Sequence, residues 1–263
     1  ILWSAETNAT GDYNPLVDSS CGTMPSVISE STTCGNTTIN SSSGEGKAIA
    51  GSNIVFTCNG TRLNGNGSAQ TPSYADDMRG IEIKNVNNVT VVGCEIYNFT
   101  YGVYIQNSYN INLVNLTVRD NNFTGIYIGA LAYNITVENS IIGDYGTEMQ
   151  KYGVWLHGSR PGGGDSLIRN NIFVNNTQRG IYLSDSSDRN SIISNNISGS
   201  TDGVFINESD GHNIYNNTIY NNSNAGINSL DSDLSGSDFG DSSDSTMNTL
   251  YNNTYGYYLK SSS

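Results

Sequence analysis

The chain is 263 residues long and carries 24 acidic against 11 basic residues, a formal net charge of −13. With no Lys/Arg cluster, that balance argues against nucleic acid and against anionic membrane surfaces, since both are polyanions. No apolar run reaches the roughly 18–20 residues needed to cross a bilayer, so no transmembrane segment is expected. The chain opens on Ile1-Leu2-Trp3 without a signal-peptide pattern, so any leader is expected to have been removed or to lie outside this sequence.

Residues 1–46 are polar and turn-prone, with Gly11-Asp12, Asn14-Pro15 and a Ser/Thr/Asn stretch from Ser29 to Ser43. They read as an irregular N-terminal arm and cap, because a solenoid needs its terminal apolar face covered. All four cysteines, Cys21, Cys34, Cys58 and Cys94, fall in the first 94 residues. An even count there reads as two disulfides stapling one end; we favour Cys21–Cys34 and Cys58–Cys94 among the three possible pairings. A metal site is the competing reading, and it lacks both a CxxC spacing and a nearby histidine.

Residues 47–263 read as a parallel β-helix. Ile49 and Ile54-Val55-Phe56 begin it, and from Gly80 a phrase recurs: glycine, apolar, aromatic, apolar. It reads Gly102-Val103-Tyr104-Ile105, Gly125-Ile126-Tyr127-Ile128, Gly153-Val154-Trp155-Leu156, Gly180-Ile181-Tyr182-Leu183, Gly203-Val204-Phe205-Ile206 and Gly256-Tyr257-Tyr258-Leu259. Weaker copies stand at Gly80 and Gly226, and the intervals run from 22 to 30 residues. Self-similarity at this period marks a solenoid. Between phrases lie second short runs such as Val89-Thr90-Val91 and Ile111-Asn112-Leu113, then turns with paired asparagines. Period-2 alternation with Gly/Asn punctuation predicts strands and no helix. The expected fold is all-β: a right-handed parallel β-helix of about eight to ten coils, each of about three short strands, with asparagine ladders in the turns.

The texture, clearest from Asn190 to Ile227, resembles the parallel β-helix repeats of the pectin-lyase-like superfamily, in particular NosD-type repeats. The resemblance spans roughly residues 47–260 and implies the fold. It implies no one activity, since that superfamily includes polysaccharide lyases, hydrolases, epimerases, tailspikes, adhesins and structural surface proteins.

Sixteen Asn-x-Ser/Thr sequons begin at Asn8, Asn36, Asn40, Asn59, Asn66, Asn88, Asn98, Asn115, Asn122, Asn134, Asn175, Asn196, Asn207, Asn216, Asn221 and Asn252. Together with the cysteines they point to a secreted, N-glycosylated protein at the cell surface.

Within each phrase the flanking apolar residues are expected inward and the middle residue outward. Tyr104, Tyr127, Trp155, Tyr182 and Phe205 should then form an exposed stripe, larger than a monomer normally leaves bare. Three occupants are open: a covering segment of the same chain, a second subunit, or a polysaccharide. The apolar start Ile1-Leu2-Trp3 favours assembly, packing on a β-helix surface in cis or on a neighbour. The function expected is therefore that of an extracellular structural protein working by self-assembly or adhesion, a subunit of a filament, sheath or surface layer. The alternative is a carbohydrate-binding or carbohydrate-active β-helix using the stripe.

Catalysis has thin support. Beside the stripe stand Gln106, His157, Ser184 and Asn207, with Asp185, Asp188, Arg189, Glu208 and Asp210 nearby; Arg179 and Asp202 occupy equivalent positions and suggest a surface ion pair. His157 is the candidate acid or base. The motifs of the epimerases, polygalacturonases and lyases are missing, and Asp76-Asp77 precedes the main repeats. One acidic insertion, with Asp231, Asp233 and Asp238, matches the opening of an EF-hand loop but has Ser242 where its bidentate glutamate belongs, so structural Ca²⁺ is a partial match. No other cofactor is expected.

Overall fold

A computed structural model describes residues 21, 23, 26–67, 78–146, 150–158, 165–230, 232, 234, 236–240 and 246–260. Among them 27 short strands form three parallel sheets. Sheet A comprises Ser26–Ile28, Lys47–Ile49, Arg79–Lys84, Tyr101–Gln106, Thr124–Ile128, Tyr152–His157, Arg179–Ser184, Asp202–Asn207, Ala225–Leu230 and Tyr255–Lys260. Sheet B runs from Thr32–Thr33 to Asn213–Tyr215 in eight strands, and sheet C from Thr38–Asn40 to Thr249–Tyr251 in nine. Every third strand pairs in parallel register, so the chain winds A to B to C and back, giving eight complete coils.

The register places each phrase on the next: Val103, Tyr104 and Ile105 lie beside Ile126, Tyr127 and Ile128. Val103, Ile105, Ile126, Ile181 and Leu183 are fully buried in one continuous core, as the alternation requires. The first coil, however, starts at Ser26, inside the segment assigned to an irregular arm. Ser26–Ile28 pairs with Lys47–Ile49, Thr32–Thr33 with Ile54–Thr57, and Thr38–Asn40 with Arg62–Asn64. The boundary expected at residue 47 therefore falls within the solenoid. Each strand of that coil buries a single residue (Ile28, Thr32, Ile39), too few to write an apolar period.

The glycine of the phrase has a steric cause. It sits where sheet C turns into sheet A, and a Cβ on Gly102 would lie 2.5 Å from Val118 Cγ1 and 2.6 Å from the Gly125 carbonyl oxygen. No side chain fits between the coil's own core and the backbone of the next coil.

Corners follow one rule: a residue in the left-handed region precedes one that points inward. Asn115, Asn170, Ser194 and Asn216 take positive φ before inward Leu116, Asn171, Asn195 and Asn217. The inward amides ladder up the stack, since Asn195 Nδ2 donates to Asn217 Oδ1 (3.0 Å) and to the Ile168 carbonyl (2.8 Å). Its Oδ1 accepts from Asn171 N (3.0 Å) and Nδ2 (3.1 Å). A second ladder at the sheet C to A corner joins Asn222 to Asn253 (2.9 Å). The ladders thus give buried corner groups such as the Asn171 N–H and the Ile168 carbonyl their partners.

Two disulfides hold the N-terminal coils, Cys21–Cys34 and Cys58–Cys94. Lys47, 1% exposed, adds a tie: its Nζ donates to the Thr23 carbonyl (2.6 Å), Ser26 Oγ (2.7 Å) and the Cys21 carbonyl (3.4 Å). Burial pushes its pKa down to about 8.

Candidate functional site: the outer face of sheet A

The aromatics of the phrase do point outward from sheet A, one per coil in register. They are not an exposed stripe. Tyr104, Tyr127 and Phe205 are only 5%, 6% and 5% exposed, and Trp155 and Tyr182 are half-buried. The alternation was read correctly, but it does not show which residues flank the column. A second outward column, the residue directly before the glycine of each phrase, adds Tyr101 and Tyr152, and Phe123 reaches in from the corner. Tyr104–Tyr127 and Trp155–Tyr182 stack at 5.0 and 5.5 Å with planes 23° and 14° apart, while Tyr127–Trp155 meet edge to face at 5.2 Å. The rings turn their faces on one another, a spine whose contacts add about 0.5–1.5 kcal/mol per pair beyond burial.

Cations close the spine. Arg79 lies 4.1 Å from the Tyr104 ring centre; Arg179 lies 3.8 Å from that of Phe205 and 4.1 Å from that of Tyr182. The ion pair expected between Arg179 and Asp202 does not form. Although the two are in register, Asp202 Oδ1 accepts instead from Asn224 Nδ2 (2.7 Å) and Asn228 Nδ2 (3.1 Å), leaving the guanidinium to the rings. Burial pushes the Tyr152 hydroxyl pKa up, with Arg179 opposing.

His157 lies at the edge of the spine, 5.1 Å from Trp155, and its Nδ1 is 2.8 Å from Asp185 Oδ2. Ser184 Oγ approaches the same nitrogen at 3.2 Å and also accepts from Trp155 Nε1 at 2.9 Å. A nucleophile and an orienting carboxylate on one nitrogen cannot relay a proton between them, because a triad needs them on opposite sides of the imidazole. Asp188 and Asp210 lie together at the sheet A to B corner, where the Asp210 N–H donates to Asp188 Oδ1 (2.9 Å), and Arg189 pairs with Asp165 (3.4 Å). Other ionisable groups are spent in structural pairs: Arg62 and Arg119 on Glu95 at 2.7 Å each, and Arg169 on Glu138 at 2.6 Å. Those bonds to the two arginines outweigh burial and hold the Glu95 carboxyl below its ordinary range.

His212 is fully buried. Its Nδ1 accepts from the Asn190 N–H (3.3 Å) and its Nε2 faces Ser209 Oγ (2.9 Å), so it serves as a rung of a corner ladder. Burial lowers its pKa to about 4. Of the calcium candidates, Asp231 and Asp233 lie outside the described residues, and Asp238 Oδ1 accepts locally from the Gly240 N–H (2.9 Å). Among the described residues no group of three or more His, Cys, Asp or Glu is placed to hold a metal ion. Ile1, Leu2, Trp3, Asp76 and Asp77 also lie outside the described residues.

The sequons sort by burial. Asn8 lies outside the described residues; Asn98, Asn122 and Asn207 are half-buried, and the other twelve are exposed. The fully or nearly buried ladder asparagines, Asn121, Asn171, Asn176, Asn190, Asn195, Asn217 and Asn222, are not sequons. In pairs such as Asn175-Asn176, Asn216-Asn217 and Asn221-Asn222 the sequon residue faces out and its neighbour in. Sequence reading missed the division; the signal was the Ser or Thr two residues on. A left-handed asparagine, an inward residue and an outward Thr or Ser together spell the sequon, as in Asn115-Leu116-Thr117 and Asn134-Ile135-Thr136.

Three parallel sheets wound around one apolar core define a parallel β-helix, and the comparisons agree. The chain belongs to the right-handed β-helix family: the model described as "Right handed beta helix region" matches residues 7–162. The model described as "Periplasmic copper-binding protein (NosD)" matches residues 133–263. All four cysteines are in disulfides and both nitrogens of His212 are engaged, so none of these residues is free to bind copper. No curated protein sequence matches the chain. Among solved structures it is similar to the periplasmic alginate epimerase AlgG (TM-score 0.55, 16% identity, 88% of this chain, 70% of that one). It is also similar to pectate lyase Pel9A (0.55, 16%, 92%, 65%) and to the Streptococcus pneumoniae surface adhesin PfbA (0.54, 14%, 90%, 89%). At such identities the likeness shows the fold alone.

Proposed function

We propose that the chain is an extracellular structural β-helix protein, N-glycosylated on its corners, that acts by self-assembly or adhesion. The observation that carries this is the outer face of sheet A, where aromatic rings and arginines are packed on each other and the one acid–base pair described at its edge, His157–Asp185, has Ser184 on the same imidazole nitrogen. A stack of eight coils with outer-face rings packed on one another suits a scaffold. Two disulfides and exposed corner sequons support an oxidising, glycosylating compartment. The family model matched over residues 133–263 is described as periplasmic, which supports a location outside the cytoplasm. Electron microscopy of native material tests the reading: polymers or ordered arrays are expected, with glycopeptide mapping placing glycans on exposed asparagines such as Asn115 and Asn221. Monodisperse monomers that degrade a polysaccharide would overturn it.

The second reading is carbohydrate-active, favoured by the His157–Asp185 pair beside half-buried Trp155 and Tyr182. Under that reading His157→Ala abolishes polysaccharide cleavage by the purified chain.

A further inference from the structure

At the corner between sheets A and B the fold makes a groove that the spine does not use. One wall is a column of left-handed residues, Asn85, Asn107 and Leu131, with φ of 59°, 47° and 62°. The other is the column Asn87, Tyr109 and Tyr133, which the sheet B register sets one above another. Between them lies a cavity of about 350 Å³ with Val86 at its base. Successive coils are about 4.8 Å apart, so three coils give a groove on the order of 10 Å long, parallel to the rod.

Leu131 is the residue that the fold does not explain. Asparagine is the usual solution at a left-handed corner, because its short polar side chain bonds locally, and both preceding coils use it. A branched apolar residue is strained there, and Leu131 is nevertheless 40% exposed, so the strain is not offset by burial in the core. Facing it, Tyr109 and Tyr133 stack at 5.1 Å with planes 7° apart, each more than a third exposed. Strain and exposed apolar surface coincide at one cavity.

The polar groups of the walls narrow the ligand. Asn107 Nδ2 donates to Asn85 Oδ1 (2.6 Å) and Asn87 Nδ2 to the Tyr109 hydroxyl (2.9 Å). That leaves Asn107 Oδ1, Asn87 Oδ1, Asn85 Nδ2 and the Tyr133 hydroxyl with no partner among the described residues. No charged side chain lines the cavity. A ligand that matches must be neutral, must carry apolar faces for Leu131 and the tyrosines, and must both donate and accept around its rim. Sugar hydroxyls do both; a proline-rich peptide offers carbonyl acceptors and few donors, and cannot satisfy the two amide oxygens.

We propose that the Asn85–Asn107–Leu131 and Asn87–Tyr109–Tyr133 columns form a binding site for a neutral oligosaccharide of two or three units. It is separate from the outer face of sheet A and does not depend on whether the chain assembles.

The test is an array of neutral glucan, mannan, xylan and galactan fragments, acidic oligouronates and proline-rich peptides, probed with the full chain, followed by calorimetry on what binds. A neutral oligosaccharide should bind, and Tyr133→Ala should weaken it at least ten-fold. Leu131→Asn should weaken binding to a similar degree while raising the melting temperature, which separates loss of the wall from loss of the fold. Failure of every neutral oligosaccharide to bind, capture of only acidic sugars or peptides, or binding that both substitutions leave unchanged overturns the proposal.

Discussion

The steric reading of the repeated glycine is testable with two substitutions at the same register position. In Gly203→Ala the new Cβ would lie 2.4 Å from Ile219 Cγ2, 2.6 Å from the Gly226 carbonyl oxygen and 3.1 Å from Asn222 Nδ2. None of the three can retreat cheaply: the carbonyl belongs to the next sheet A strand, Ile219 is fully buried, and Asn222 is a ladder rung. Overpacking of this kind costs about 1–3 kcal/mol, and contact with backbone on one side and core on the other places it at about 3. Gly256 occupies the same position in the last described coil, and there the nearest atom to a new Cβ is Leu250 Cδ1 at 3.8 Å. Gly256→Ala should therefore be neutral, or stabilising by up to about 1 kcal/mol through the unfolded chain. Both changes share strand propensity and unfolded-state effects, so their difference, about 3–4 kcal/mol, isolates packing. Urea unfolding followed by Trp155 fluorescence measures it. Equal destabilisation would refute the steric account and leave the glycine to some backbone requirement.

Other outcomes follow from the corners and the disulfides. Asn195→Ala removes four hydrogen bonds and leaves the buried Asn171 N–H without its acceptor, while Asn171 Nδ2 keeps the Val137 carbonyl and Asn217 Oδ1 keeps the Asn195 N–H, so it should cost about 2–3 kcal/mol; a loss under 1 kcal/mol in urea titration would show that water fills the gap. His212 has a folded pKa of about 4 against 6.5 in the unfolded chain, so between those values the unfolded state binds more protons. Stability should fall by up to about 3 kcal/mol as pH drops from about 6.5 to about 4, and His212→Asn should flatten that part of the melting-temperature profile. Replacing Cys58 and Cys94 by serine opens a loop with a sequence separation of 36, which should cost about 4 kcal/mol in the chain-entropy picture; an unchanged melting temperature would place the stapling elsewhere.

Much of the fold was legible because its causes are local and repeat. The Gly-apolar-aromatic-apolar phrase writes the sheet A strands directly, and the inward pair Val103 and Ile105 and the outward Tyr104 follow from a period of two. The first coil was illegible, since Ser26–Ile28, Thr32–Thr33 and Thr38–Asn40 bury one residue each and are held by pairing with later strands. At the candidate site, sequence named Trp155, Tyr182, His157 and Asp185, and the structure brings them together. It also named Arg179 and Asp202 as partners, which they are not, because their neighbours in the adjacent column and turn compete more effectively for each.

The sequence by itself determined the solenoid, its coil period, the direction of each side chain in the main strands and the corner asparagines, all consequences of backbone geometry within a few residues. Only the tertiary structure decided what those directions meet. Whether an outward ring is bare or covered depends on residues one coil away: Tyr101, Phe123 and Tyr152 bury the stripe that alternation alone would leave exposed. Which partner an inward asparagine finds, as Asn217 for Asn195, depends on the coil stacked against it. The groove at Leu131 has the same origin, for Asn85, Asn107 and Leu131 become one wall only when three coils are stacked.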